Sequence, residues 1–94
     1  MARESLSADD AEKIAVSALG FLAGRPEHLG RFLAETGLGP ETIRAAASDP
    51  RFLAAVLAFL MGDEAVLLEF TEALRLRPTL VAIAHHRLAG ERGE

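Results

Sequence analysis

The stretch PRFLAAVLAFLM, residues 50–61, decides the fold of this chain. Apolar side chains cover every side of the helix that it predicts, whereas a surface helix keeps one polar face. Gly62 and Asp63 end the apolar run, which has only about half the length that a membrane-spanning helix requires. The sequence therefore predicts a buried central helix, with the rest of the chain packed around it and no membrane span.

Residues that start and stop helices predict five further helices around that centre. Proline suits the first position of a helix, as at Pro26, Pro40 and Pro78, and a polar residue such as Ser7 or Asp63 caps the free N–H groups of a helix start. The predicted helices span residues 8–23, 26–36, 40–47, 50–61, 64–76 and 79–89. Linkers of two to three residues force the chain to turn sharply between them.

The predicted fold class is therefore all-α, a compact orthogonal array of about six short helices around the buried helix at 50–61. A chain of 94 residues forms one domain, residues 1–94, with residues 1–7 and 90–94 expected to be disordered tails. Helical spacing predicts the inward-facing side chains of the outer helices. These are Ala11, Ile14, Ala15, Ala18, Leu22, Leu29, Phe32, Leu33, Val66, Leu67, Phe70, Ala73, Leu74, Leu80, Val81, Ala84 and Leu88.

Composition excludes several classes of function. The chain has a net charge of −4, which argues against a general binder of polyanions, since such proteins show a basic face. It contains no cysteine, so disulfides, thiolate metal sites and cysteine nucleophiles are excluded. The N-terminal residues are polar and contain no apolar run of the signal-peptide type, which indicates a cytoplasmic protein.

Residues 29–47 have the residue spacing of a DNA-binding helix-turn-helix, with Gly37 at the turn and the apolar Ile43 six positions later. Leu33, however, occupies the position where the close crossing of the two helices requires a small residue. The second helix is mostly alanine and offers few side chains that reach bases or phosphates. We interpret the stretch as a helical corner whose face at Ala45–Ala47 suits close helix packing, and a DNA-binding regulator remains the alternative.

No arrangement of residues predicts an enzyme, a cofactor site or a metal site. His85 and His86 are adjacent, so on a helix they point about 100° apart and cannot share a metal as residues four apart do. Glu64, Glu69 and Glu72 fall on the outer face of one helix, where carboxylates are normally solvated. Acid–base catalysis would require a pocket that separates their pKa values.

Surplus apolar residues point instead to a protein-interaction role. Half of the residues are hydrophobic, more than a chain of this size buries completely. Val16 and Leu19 form a second apolar stripe on the first helix, and Arg75, Arg77 and Arg87 make the C-terminal third locally basic. These five residues are the predicted partner-binding positions. A homodimer and a groove for a partner helix both fit this prediction, and nucleic acid is disfavoured.

Three stretches resemble a known family of small bacterial proteins. They are ALGFLA at 18–23, LGRFLAETGL at 29–38 and DPRFLAAVLAFLMGDEAVLLEF at 49–70. The family is a domain of unknown function of about ninety residues that is widespread in alphaproteobacteria, and the resemblance extends over residues 12 to 85. It implies a stand-alone helical protein of the bacterial cytoplasm, and it implies no catalytic or ligand-binding residue.

Overall fold

The computed structural model describes residues 6–90 of the chain. Within them the protein consists of six helices and contains no strand. The helices are α1 Ala8–Ala23, α2 Pro26–Thr36, α3 Pro40–Ala46, α4 Pro50–Met61, α5 Glu64–Leu74 and α6 Pro78–Ala89. The predicted all-α fold class is thereby confirmed, with each helix in its expected place.

Polar caps and one glycine explain where several of these helices begin and end. The Ser7 hydroxyl accepts a hydrogen bond from the Asp10 amide at 3.0 Å, which satisfies one free N–H of α1. The Asp63 carboxylate accepts from the Val66 amide at 3.3 Å and caps α5 in the same way. Gly37 ends α2 with a left-handed φ of 77°, which a residue without a side chain adopts at no steric cost.

Helix α4 is the centre of the structure. Seven of its twelve residues are buried, more than in any other described helix. Helices α1 and α6 pack against α4 and against each other, whereas α2 lies on α1 and α5 lies on α4. Residues 50–61 therefore form the buried central helix that their apolar pattern predicts, because neighbouring helices cover α4 on several sides.

Small residues let α1 approach the centre closely. Ala11, Ala15 and Ala18 are completely buried, and with Leu22 they form the inner stripe of the helix. Alanine keeps the helix axes close, because it adds only one carbon to the backbone surface. The opposite side of α1 stays in solvent, and its centre is Val16.

Helix α5 differs from the prediction at its C-terminal end. It stops at Leu74 because Arg75 takes a left-handed conformation with φ 58°. The predicted inward positions of Ala73 and Leu74 are wrong, since both side chains are exposed, and Thr71 is buried instead. The Thr71 hydroxyl tolerates burial because it donates a hydrogen bond to the Leu68 carbonyl at 3.2 Å.

The two predicted tails fall only partly within the described residues. Leu6 packs against the core, Ser7 caps α1, and Gly90 follows the last helix. The remainder of both tails, residues 1–5 and 91–94, lies outside the described residues. No helix between residues 6 and 90 is both long enough and apolar enough to cross a membrane.

Candidate interaction surface

The outer face of α1 carries two of the predicted partner-binding residues. Val16 is 48% exposed, the highest value among the large apolar side chains that the structure describes. Leu19 is half-buried, with one side of its side chain packed against the core. Gly20 and Ala23 continue this face toward the C-terminus of α1, and both are exposed. The second apolar stripe therefore lies at the surface, with Leu19 as its inner edge.

Helix α3 turns this face into a groove. A shallow depression of about 390 Å³ lies between α1 and α3, and most of its lining is apolar. The lining residues are Val16, Leu19, Gly20 and Ala23 from α1, and Ile43, Arg44 and Ala47 from α3 and its end. Gly20, Ala23 and Ala47 have little or no side chain, so the floor of the groove lies close to the backbone. Such a floor allows an incoming helix to approach closely.

The charges around the groove are unequally distributed. Toward the N-terminus of α1 the same face carries Asp9, Glu12 and Lys13, and these residues line a second depression that shares Val16 with the groove. At the other end Arg44 projects from α3 beside the apolar lining. Among the described residues no salt bridge involves Arg44. One half of the α1 face is therefore rich in carboxylates, and the other half is apolar with a cation at its border.

The three predicted arginines of the C-terminal third do not form one site. Arg75 and Arg77 flank the turn between α5 and α6, whereas Arg87 lies in the last turn of α6. Ten residues of helix separate Arg77 from Arg87, which corresponds to about 15 Å. All three are exposed. The structure thus places this group at two ends of α6, and a role for any of them in partner binding stays a prediction.

Glu69 of the predicted acidic face and the neighbouring helix cap Asp63 contact side chains of α2 and of Arg25, the residue before it. Asp63 receives a hydrogen bond from the Arg31 guanidinium at 3.0 Å, and Glu69 lies 3.2 Å from the His28 ring and 3.7 Å from Arg25. The backbone N–H of Val66 and then the Arg31 side chain hold the pKa of the Asp63 carboxyl below its ordinary value. These contacts fix α2 to the start and the outer side of α5.

Phe21 has a role that the sequence did not reveal. The Arg25 guanidinium lies 4.0 Å from the centre of the Phe21 ring, and the His28 ring stacks on it at 6.4 Å. His28, Glu27 and Glu69 line an open depression of about 450 Å³ beside this ring. The Glu69 side chain is half exposed, so water solvates its charge. Phe21 lies three positions after Ala18 and seven after Ile14, so it belongs to the buried side of α1, and helical spacing could have identified it.

In the stretch that resembles a helix-turn-helix, the apolar side chains pack on the core and the nearby arginines form ion pairs. Leu33 packs against the core from one side, as do Ile43 and Ala46 of the short α3. The arginines near α2 are turned toward carboxylates of the same chain, since Arg31 pairs with Asp63 and Arg25 with Glu69. Phosphate binding would have to compete with these ion pairs, because non-specific DNA affinity depends on free cations.

Comparison with known proteins gives one match. The model of a family described as "Protein of unknown function (DUF3572)" matches residues 8–91. No curated protein and no solved structure matches the chain. The match confirms the resemblance to a domain family of unknown function, and the alphaproteobacterial origin that the resemblance implies stays a prediction.

Proposed function

The chain belongs to the DUF3572 family of proteins of unknown function, and from that premise we propose that it is a protein-interaction module, not an enzyme. The observation that carries the proposal is the groove between α1 and α3, where apolar and small side chains remain in contact with solvent. Exposed apolar grooves bordered by charge are typical of sites that receive an amphipathic helix. The resemblance implies a bacterial, cytoplasmic setting, and we include that setting in the proposal.

The chemistry of the other surfaces supports this choice over catalysis. A general acid and base need environments that separate their pKa values, usually through burial. The carboxylates near His28 are exposed to water, and the shallow depression there excludes little solvent. Within residues 6–90 no group of three or more His, Asp or Glu side chains is arranged to hold a metal ion. The α1–α3 groove, in contrast, offers a partner helix an exposed apolar surface with small side chains at its floor.

Affinity purification from the host with groove variants tests the proposal. Val16→Glu places a charge at the centre of the groove face, and Leu74→Glu does the same at an exposed leucine of α5. We expect the tagged wild type and Leu74→Glu to retain the same partner, identified by mass spectrometry, and Val16→Glu to lose it. Equal recovery with Val16→Glu would contradict the proposal.

An electrophoretic mobility shift distinguishes the DNA-binding alternative. At low salt, random duplex DNA should not shift with this protein at micromolar concentration, since its arginines near α2 are paired with carboxylates. A clear shift that Arg44→Ala abolishes would favour a regulator built on residues 29–47 over an interaction module.

A further inference from the structure

We propose that the occupant of the α1–α3 groove is helix α1 of a second copy of this chain, packed antiparallel to the first around a two-fold axis at Val16. The inference rests on the proposed function, and it names the partner of the same groove. It follows from the order of side chains along one face of α1 and from the position of Arg44 beside that face.

The exposed face of α1 is self-complementary when it is reversed. Val16 is its centre, with Glu12 and Gly20 one turn away on either side and Asp9 and Ala23 two turns away. In an antiparallel pair centred on Val16, the bulkier N-terminal residues of one copy therefore lie opposite the glycine and alanine of the other. Small residues opposite larger ones allow the two helices to pack closely, as ridges fit into grooves.

Charge determines the direction of the pairing. Glu12, Leu19 and Ala23 fall on the same edge of α1, since residues seven and eleven positions apart lie nearly in line on a helix. A two-fold axis places this edge against the same edge of the second copy. Glu12 of one copy then lies beside the groove that Arg44 of the other copy borders. The antiparallel arrangement forms this opposite-charge contact twice, and a parallel arrangement would set the acidic halves of both helices against each other.

The size of the contact predicts a reversible dimer. One helix face and the short α3 offer less area than a standard stable interface, so we expect association that depends on concentration in the micromolar to millimolar range. Charged side chains at the border add specificity and association rate more than affinity. The central apolar contact at Val16 is therefore the most sensitive position.

Sedimentation equilibrium across that concentration range tests the proposal, with circular dichroism to show that each variant is folded. The wild type should shift from one chain to two, and Val16→Glu should stay monomeric. Glu12→Arg and Arg44→Glu should each weaken the dimer about tenfold, because each turns two attractive contacts into repulsive ones. The double variant Glu12→Arg with Arg44→Glu should restore association, which a merely structural role of either residue would not explain.

Disulfide trapping gives a second, independent readout. The chain has no cysteine, so Val16→Cys introduces the only thiol. Residue 16 meets its own copy at the proposed axis, within the short distance that a disulfide spans. Oxidation should therefore link Val16→Cys into a covalent dimer much faster than the matched control Leu74→Cys.

The outcomes separate this inference from the proposed function. A wild type that is monomeric throughout, or equal trapping of the two cysteine variants, would overturn self-association. If Val16→Glu then still abolishes capture of a different protein from the host, the interaction module stands with another occupant. If Val16→Glu alters neither association nor capture, both proposals fail.

Discussion

Replacing Phe32 by alanine should destabilise the protein severely. Phe32 is completely buried, and it is the one buried side chain of α2. Its ring lies 5.9 Å from Phe52 and 5.4 Å from Phe59, with interplanar angles of 69° and 73°. Truncating a buried phenylalanine to alanine costs about 3–5 kcal/mol, and each edge-to-face pair accounts for about 0.5–1.5 kcal/mol. A domain of this length has a total unfolding free energy of roughly 5–14 kcal/mol.

Urea denaturation followed by circular dichroism measures this loss, since the chain has no tryptophan or tyrosine to serve as a fluorescent probe. Phe32→Leu is the matched control: it retains an apolar side chain but loses both ring pairs, so it should cost about 1–2 kcal/mol. Leu68→Ala removes an exposed side chain and should cost under about 1 kcal/mol. A loss below about 1.5 kcal/mol for Phe32→Ala would show that α2 is not anchored through this ring.

Three further substitutions test local features of the fold. Gly37→Ala should lower the free energy of unfolding by about 1–2 kcal/mol, because its φ of 77° strains any residue with a side chain. Gly30→Ala, in the interior of α2, should raise the free energy of unfolding by about 0.5–1 kcal/mol, since a new Cβ would meet no atom within 4 Å. Equal effects of Gly37→Ala and Gly30→Ala in thermal melts would contradict the assignment of Gly37 as the end of α2. Asp63→Asn keeps a good capping residue but removes the charge that attracts Arg31. Since folding lowers the pKa of Asp63, its charge stabilises the protein above the unfolded pKa of about 3.9, and this contribution is lost as the pH falls through the folded value. Wild type and Asp63→Asn should therefore differ in urea midpoint at neutral pH and converge in strong acid, and a difference that does not change with pH would refute this role.

Sequence alone was sufficient for the fold class and for the helix starts. Proline, serine and aspartate act on backbone groups within the next turn, and the Gly37 cap depends only on its own dihedral angles. The buried role of residues 50–61 was also readable, because an all-round apolar helix has no side that favours water. The error at α5 concerns its last turn, where Leu74 fits the helical stripe but is exposed as the final residue before the left-handed Arg75. Helical spacing identifies the side of a helix that faces the core, but not how far along the helix its neighbours cover that side.

For the candidate site, in contrast, the sequence predicted only a part, and the tertiary structure was needed for the rest. Val16 and Leu19 were identified from their spacing on α1, but the groove also needs Ile43, Arg44 and Ala47, which approach α1 only after two turns of the chain. The contacts of Glu69 with Arg25 and His28 likewise join residues far apart in sequence, whereas the contacts of Arg25 and His28 with Phe21 are local. Hydrophobic periodicity identifies the side of a helix that avoids water, since each helix carries that information itself. Which helices meet, and which exposed side remains uncovered, depends on the packing of all six together, so only the tertiary structure decided where a partner can bind.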